Sequence, residues 1–186
     1  MEASSPRRKS RPPPPPEAVA SLPPEILEQV LSSLPLRDAV RTSAVSRAWR
    51  RLWESAPGLA LEWRPGTDAA VVDGVLPRYS GPVRSFEFDL HQGSFWRADD
   101  WVPHLADKGV QILKLHFSYD SFSPSAHYMD ASIFSCRELT SLDLSGGCKI
   151  LAAPSGLAGF PKLTRLCLRE VGFQGNGGEG FGGVDC

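Results

Sequence analysis

Apolar residues between positions 22 and 56 recur with the period of an α-helix. The first stripe consists of Ile26, Leu27, Val30, Leu31 and Leu34. Spacings of three and four put these residues on one helical face, and Pro35 cannot continue the helix. Asp38 and Ser46 are residue types that cap helix starts, and each precedes another short apolar run. The segment is therefore predicted to form three short helices.

This three-helix segment carries more apolar surface than so short a chain can enclose. Chains below about 40 residues bury too little surface to offset the loss of conformational entropy. Trp49 and Trp53 add two large side chains to the aliphatic ones. Part of the apolar surface is therefore expected to face another polypeptide.

A second pattern, apolar-x-x-apolar-x-apolar, occurs four times in the later chain. The copies begin at Val83, Val110, Leu139 and Leu163. Their starts lie about 24 to 29 residues apart, which is the spacing of leucine-rich repeats. Because strand side chains alternate, apolar residues two apart enter the core and the residue between them faces outward. The pattern predicts stacked parallel strands, and the alternative is a set of unrelated strands in a small α+β domain.

Together the two patterns predict an α+β chain. A three-helix module at 22–56 precedes a short, irregular leucine-rich-repeat solenoid with parallel strands at 57–171. Residues 1–21 carry a basic cluster and five consecutive prolines, and 172–186 contain seven glycines, so both flanks are predicted to be disordered. The basic cluster also suits a nuclear address. No capping repeat closes the solenoid, which is the pattern expected of a truncated protein.

Composition mainly excludes classes of function. Lys plus Arg number 20 and Asp plus Glu 21, so the net charge of −1 does not favour nucleic-acid binding. No apolar run approaches the roughly 20 residues needed to span a bilayer, and the first residues lack a signal-peptide pattern. The four cysteines include no CxxC pair, which indicates reduced thiols rather than a disulfide framework or a zinc site.

No set of residues has the spacing of a catalytic or metal site. The four histidines follow neither helical nor strand spacing and lack an HExxH or Ser-His-Asp context. Asp99 and Asp100 form an acidic pair, but no third oxygen ligand is spaced to complete a metal site, which favours helix capping. The chain is predicted to be non-catalytic, with no metal and no cofactor.

Positions 22–53 resemble the F-box domain. The resemblance is carried by LPPEIL at 22–27, LSSLPLRDAVRTS at 31–43 and SRAWRRLW at 46–53, in the order and at the spacing of that family. With the repeats behind it, the chain looks like the plant F-box proteins that carry leucine-rich repeats and often an FBD region. Full-length relatives carry more repeats than this chain does.

The resemblance implies a substrate-recognition subunit of an SCF-type cullin-RING ubiquitin ligase. The helical module would bind an SKP-family adaptor, and through it a cullin, in the nucleus, the cytoplasm or both. Matching positions assign this contact to Leu22, Pro23, Ile26, Leu27, Val45, Ser46, Trp49, Leu52 and Trp53. The matching does not separate residues of the module's core from residues of the interface.

The repeats would hold a protein substrate for ubiquitination on the outward face of their sheet. The candidate residues there are Glu87, Asp89, Lys114, His116, Asp143, Arg165 and Arg169. A solvated surface without a ligand explains these charges equally well. Two other functions stay open: a repeat-based interaction scaffold whose helices only cap the sheet, and a short F-box protein that occupies the adaptor without delivering a substrate.

Overall fold

The computed structural model describes residues 23–44, 49–119, 127–151, 159–175 and 178–184. The α-helices in these ranges are α1 (Pro24–Ser33), α2 (Leu36–Arg41), α3 (Ala70–Val75) and α4 (Arg97–Asp107). The strands are β1 (Leu59–Glu62), β2 (Val83–His91), β3 (Ile112–Ser118), β4 (His127–Met129), β5 (Ser141–Ser145), β6 (Cys148–Ile150), β7 (Arg165–Gly175) and β8 (Gly178–Val184). Short 3-10 helices occupy Thr42–Ala44, Leu52–Glu54, Gln92–Ser94 and Ala131–Ser135. None of the helices in these ranges is long and apolar enough for a bilayer crossing.

Prolines set the boundaries of the two amino-terminal helices. Pro23 is the N-cap of α1 and Pro24 lies in its first turn, where the helix does not need an amide proton. The helix ends at Ser33 because Leu34, which precedes Pro35, is extended at φ −90° and ψ 146°. Pro35 is in turn the N-cap of α2. The first two predicted helices are therefore present.

The third predicted helix is not confirmed. Residues 49–51 form a turn, and Leu52–Glu54 is one turn of 3-10 helix. Arg51 has φ −123° and ψ 0°, which is outside the helical range and limits the element to that turn. Positions 45–48, including the predicted cap Ser46, lie outside the described residues.

The four repeat motifs form β2, β3, β5 and β7, which are neighbours in one parallel sheet. The second apolar positions stand in register as Phe86, Leu113, Leu142 and Leu166. The third apolar positions do the same as Phe88, Leu115, Leu144 and Leu168. A slip of one residue would turn every apolar side chain to the wrong face. The prediction of stacked parallel strands is confirmed.

The sheet also contains a strand that the repeat pattern missed. β1 pairs in parallel with β2 and places Leu61 opposite Phe86. Leu59 pairs with Val83, the first apolar residue of the motif, through a register shift between Leu59 and Ala60. Because Leu59 stands only two residues before Leu61, β1 does not have the motif spacing. A backbone bridge between Pro35 and Ala60 links this strand to the amino-terminal helices.

A second, shorter row of strands follows the first. β6 pairs in parallel with β4 and with the later part of β7, which gives the strand order β1-β2-β3-β5-β7-β6-β4. The chain passes from β5 to β6 through Gly146 and Gly147, both at positive φ. Glycine takes this backbone conformation at little cost.

The glycine-rich end of the chain differs from the prediction of disorder at 172–186. β7 continues to Gly175 and pairs antiparallel with β8. Glycines bring no side chains to a core, but their backbone N–H and C=O groups still pair across a strand ladder. Composition alone therefore underestimated strand formation in the described part of this segment.

One apolar core joins the amino-terminal helices to the sheet. Leu31 of α1, Trp53, Leu61 of β1, Phe86 and Leu142 are each at most 2% exposed and belong to the same buried cluster. The amino-terminal segment was expected to need another polypeptide for its excess apolar surface. In the described part of the segment, most of that surface is instead buried in the core that it shares with the sheet of its own chain.

A buried carboxylate lies next to this junction. Glu54 is 8% exposed. Its Oε2 accepts a 2.8 Å hydrogen bond from Arg51 Nε, and its Oε1 accepts a 2.6 Å bond from Arg78 Nη2. The hydrogen bonds from Arg51 and Arg78 lower the pKa of the Glu54 carboxyl, while desolvation acts in the opposite direction.

The free energy of unfolding is expected to depend on pH through Glu54. Because the folded state has the lower pKa, this stabilisation is complete above the ordinary value of 4.5 and is lost as the pH falls toward the folded pKa. Glu54→Gln keeps the side-chain shape and removes the titration, so its stability should fall less steeply than that of the wild type on acidification. Urea unfolding of both proteins, from neutral pH to below pH 4.5, measures the difference in how their stability depends on pH.

Glu28→Gln is the control for this pH experiment, because Glu28 is an exposed carboxylate on α1. Its stability should follow the wild-type curve. If the Glu54→Gln curve also ran parallel to the wild type, the linkage to Glu54 would be wrong.

Candidate protein-interaction surfaces

Helix α1 presents apolar residues on two sides. Leu27 and Leu31 are 6% and 0% exposed and lie in the core. Ile26 and Val30, which are one helical turn apart, are 43% and 38% exposed. Pro23 is exposed just before them. Pro23, Ile26 and Val30 are called the α1 patch below, and the buried side of the same helix holds this patch in place.

The predicted adaptor-contact residues fall into three groups. Those exposed in the α1 patch are Pro23 and Ile26. Those in the core are Leu27, Trp49 and Trp53, with Leu52 partly buried against it. Those outside the described residues are Leu22, Val45 and Ser46. Sequence matching did not select Val30, although its spacing of four from Ile26 places it on the same side of the helix.

The predicted target-binding residues all lie on one face of the sheet. We call it the outer face, and it consists of the side chains between the core-facing positions of β1, β2, β3, β5 and β7. The central row in register is Glu62, Glu87, Lys114, Asp143 and Cys167. The row before it is Ala60, Ser85, Ile112, Ser141 and Arg165, and the row after it is Asp89, His116, Ser145 and Arg169.

Two adjoining hollows mark the outer face. The first hollow, of about 320 Å³, has as charged lining residues Glu62, Arg84, Glu87, Lys114 and Arg165. The second hollow, of about 170 Å³, has Glu87, Asp89, Lys114, Asp143 and Arg169. Glu87 and Lys114 line both hollows and separate them.

Two ion pairs cross between strands on the outer face. Lys114 Nζ donates to Glu87 Oε2 over 2.8 Å, and this bond raises the pKa of the Lys114 ammonium. Arg169 Nη2 lies 3.3 and 3.1 Å from the two carboxylate oxygens of Asp143. Exposed pairs of this kind add only about 0–1 kcal/mol to stability, so their main effect is to orient the charges that a ligand would meet.

A third concavity lies where the amino-terminal helices meet the sheet. This cleft of about 530 Å³ is enclosed by α2, the end of β1 and α3. Its apolar lining consists of Leu36, Val40, Trp63, Val71 and Val75. Such a lining suits an aliphatic or aromatic side chain.

Asp99, the first member of the acidic pair at the start of α4, has a structural role. Asp99 Oδ1 accepts a 2.9 Å hydrogen bond from the backbone amide of Asp130, and its Oδ2 lies 3.2 Å from His127 Nε2. Asp99 therefore ties α4 to a neighbouring segment instead of capping its own helix. Across the described ranges, no group of three His, Cys, Asp or Glu side chains is arranged to hold a metal ion.

The described cysteines are not suited to nucleophilic chemistry. Cys136 and Cys148 are free and buried, and burial raises the pKa of each thiol to about 12, so both stay protonated at neutral pH. Cys167 is disulfide-bonded. The expectation of reduced thiols throughout is therefore wrong for Cys167.

Comparisons with known proteins assign both parts of the chain to characterised sequence families. The model described as the F-box domain matches residues 20–59. The model described as "FBD-associated F-box protein At5g56370, LRR repeats" matches residues 98–176. The first match covers the helices that carry the α1 patch, and the second covers the later strands of the sheet.

Similar proteins from Arabidopsis thaliana are named for an F-box and leucine-rich repeats. F-box/FBD/LRR-repeat protein At1g13570 is 30% identical over 168 residues, which is 82% of this chain and 38% of the relative. F-box/FBD/LRR-repeat protein At2g26030 is 31% identical over 163 residues, which is 83% of this chain and 36% of the relative. F-box/LRR-repeat protein At5g02910 is 38% identical over 81 residues, covering 44% and 17%. The chain thus spans at most 38% of the length of these relatives.

Proposed function

Since the chain belongs to the plant F-box proteins with leucine-rich repeats, we propose that it is a non-catalytic substrate adaptor of an SCF-type ubiquitin ligase. Its amino-terminal helices bind an SKP-family adaptor and, through it, a cullin. The outer face of its sheet holds a protein target. The rate of ubiquitin transfer then rises because target lysines are held close to the transferring enzyme.

The α1 patch is the observation that carries this proposal. Ile26 and Val30 keep about two-fifths of their surface in water on a helix whose other side is locked into the core by Leu27 and Leu31. A helix held in this way loses little conformational freedom when a partner covers it. If the adaptor covered both side chains, the apolar area removed from water would contribute favourably to the binding free energy, and α1 would not need to rearrange.

The buried members of the predicted set have a supporting role in this proposal. Leu27, Trp49 and Trp53 position α1 from within the core, while Pro23 and Ile26 contact the adaptor directly. Leu22, Val45, Ser46 and Leu52 complete the proposed contact. In this interpretation the segment 22–56 acts as a three-helix F-box, and the parallel strands act as a short leucine-rich-repeat solenoid in the nucleus, the cytoplasm or both.

The shared core favours a second candidate function. A repeat-based scaffold whose helices cap the sheet would bury Leu31 and Trp53 against the strands, as they are here. Such a scaffold would bind a partner through its outer face and would have no affinity for an SKP adaptor. Adaptor binding therefore separates the two functions.

The test combines the full chain with a plant SKP adaptor and measures affinity by calorimetry. The double variant Ile26→Asp/Val30→Asp places two carboxylates in the α1 patch, so we expect it to lose about 30-fold or more in affinity, which is the loss of one interface hot spot. About three-fifths of each side chain is covered in the folded chain, so the double variant is expected to unfold at a lower temperature than the wild type. Its affinity is therefore measured at a temperature where its thermal unfolding curve shows it to be fully folded.

Gln29→Asp/Ser33→Asp is the matched control for the double variant. It adds the same two charges to α1 at exposed polar positions outside the patch, and its affinity for the adaptor should stay within about threefold of the wild type. If the wild-type chain did not bind the adaptor, the ligase proposal would be rejected in favour of the scaffold. Equal affinities of the control and the double variant would reject the α1 patch as the contact.

A further inference from the structure

The two hollows on the outer face have opposite charge. The charged lining of the first hollow is two acids and three bases, with Arg165 and Arg84 on the basic side. The charged lining of the second hollow is three acids and two bases. The ion pair between Glu87 and Lys114 belongs to both hollows and cancels in each. What remains is a basic hollow next to an acidic one.

Two cations of the first hollow are available to a ligand. Among the described residues, no side-chain hydrogen bond or ion pair engages Arg84 or Arg165, whereas Glu62 accepts a 3.2 Å bond from Ser85 Oγ. The neutral residue Ile112 lines the same hollow. An acidic side chain entering this hollow would find guanidinium donors that need not break an existing ion pair first.

The second hollow offers the opposite charge. Asp143 is already paired with Arg169, and His116 Nδ1 lies 2.7 Å from Ser145 Oγ. Asp89 is left without a side-chain partner in the described part of the chain and lines the hollow. A basic side chain entering there would pair with the Asp89 carboxylate.

The rows of the outer face define the spacing of a ligand's charges. The row of Ser85 and Arg165 contributes to the first hollow and the row of Asp89 and Arg169 to the second, and these two rows are four residues apart along the strands. Asp89 belongs to β2, whereas Arg165 lines the first hollow from β7, on the far side of β3 and β5. Four residues of extended chain span about 13 Å, and side chains i and i+4 point to the same side. An extended segment lying along the strands would therefore present residues i and i+4 to the two hollows.

We infer that the outer face binds an extended polypeptide segment with an acidic and a basic side chain four residues apart. The acidic residue enters the first hollow beside Arg165 and Arg84, and the basic residue enters the second beside Asp89. This inference rests on the proposed function, because it names the class of target that the sheet holds. A ligand of one charge sign, such as nucleic acid, would meet repulsion in one of the hollows.

Four labelled synthetic peptides test the inference by fluorescence anisotropy with the full chain at low salt. In an otherwise neutral extended sequence, positions i and i+4 are Glu and Lys, Glu and Glu, Lys and Lys, or Ser and Ser. We expect the Glu/Lys peptide to bind at least tenfold more tightly than each of the others. Equal binding of all four peptides, or binding of none, would overturn the inference.

Charge reversal in the protein makes the test specific to the two hollows. Arg165→Glu should weaken binding of the Glu/Lys peptide at least tenfold and make Lys/Lys the preferred peptide. Asp89→Lys should make Glu/Glu the preferred peptide. Arg137→Glu, a change at an exposed arginine outside both hollows, is the control and should leave the order unchanged. An unaltered peptide preference in Arg165→Glu and Asp89→Lys would contradict the assignment.

These outcomes are distinct from failure of the proposed function. Arg165→Glu and Asp89→Lys lie on the sheet and should leave affinity for the SKP adaptor unchanged. If adaptor binding holds and the peptide preference fails, only the target class is wrong. If the peptide preference holds and adaptor binding fails, the chain is a scaffold with the same ligand.

Discussion

Gly146→Ala is expected to lower the free energy of unfolding by about 3 kcal/mol or more. Gly146 has φ +85°, and a Cβ atom built there would lie 2.0 Å from the backbone oxygen of Phe117. The left-handed conformation costs an alanine about 1–2 kcal/mol, and relief of the clash adds about 1–3 kcal/mol through backbone shifts. The backbone amide of Gly146 also donates a 3.1 Å hydrogen bond to the carbonyl oxygen of Arg169. A backbone shift at residue 146 would therefore disturb β7.

Gly66→Ala separates the two contributions. Gly66 has φ +79°, but a Cβ atom there would meet nothing within 4 Å. This variant should therefore lose only the conformational part, about 1–2 kcal/mol. Urea unfolding of both variants, followed by far-ultraviolet circular dichroism, measures the difference. Equal losses would mean that the turn between β5 and β6 adjusts freely and that the close approach to Phe117 does not constrain it.

Trp53→Ala is expected to destabilise the protein by about 3–5 kcal/mol, which is the usual loss for a large aromatic side chain removed from a core. Trp53 is 2% exposed in the cluster that joins α1 to the sheet. The Arg78 guanidinium lies 5.2 Å from its ring centroid and would lose that contact. Adaptor binding should weaken only in proportion to the unfolded fraction.

Trp96→Ala is the matched control, because Trp96 is 55% exposed and contacts Arg97 in a similar cation–π arrangement. Its loss of stability should stay below about 1 kcal/mol. Chemical unfolding and adaptor affinity are measured on the same preparations. A Trp53→Ala variant that kept its stability but lost the adaptor would show that Trp53 contacts the adaptor directly, against the supporting role proposed for it.

The position of Trp53 shows how closely the amino-terminal helices and the sheet depend on each other. Trp53 belongs to the predicted adaptor-binding segment, yet it packs in the same core as the repeat strands. A truncation that removed the sheet would expose that core, so loss of adaptor binding in such a truncation would not identify a contact. Surface variants in the α1 patch avoid this ambiguity.

The repeat strands were predictable because their signal is local. Side chains alternate along a strand whatever its neighbours are, so the motif positions at Phe86 and Phe88 identify core residues without knowledge of the fold. The same argument failed at β1, where the first apolar residue, Leu59, stands two residues before Leu61 and not three. It failed again in β8, whose glycines hold their place through backbone pairing that leaves no pattern in side-chain polarity.

The sequence predicted which charged residues lie on the outer face, but it did not predict which of them form ion pairs. Sequence spacing placed Arg165 and Arg169 on the same side of one strand. Only the neighbouring strand decides that Arg169 pairs with Asp143, 26 residues away, while Arg165 has no such partner in the described part of the chain. Contacts over such sequence distances depend on register and side-chain conformation together, which no local pattern records.

The sequence by itself determined the parallel strands, their register and the family of the chain, because apolar periodicity and motif order are written along the backbone. Which side of α1 is available to a partner was decided only by the tertiary structure. Ile26 and Leu27 are both apolar and belong to one stripe. The bridge from Pro35 to Ala60 sets α1 against β1 so that Leu27 is buried and Ile26 stays in water. An apolar stripe wider than the surface it packs against leaves one edge exposed, and packing chooses which edge.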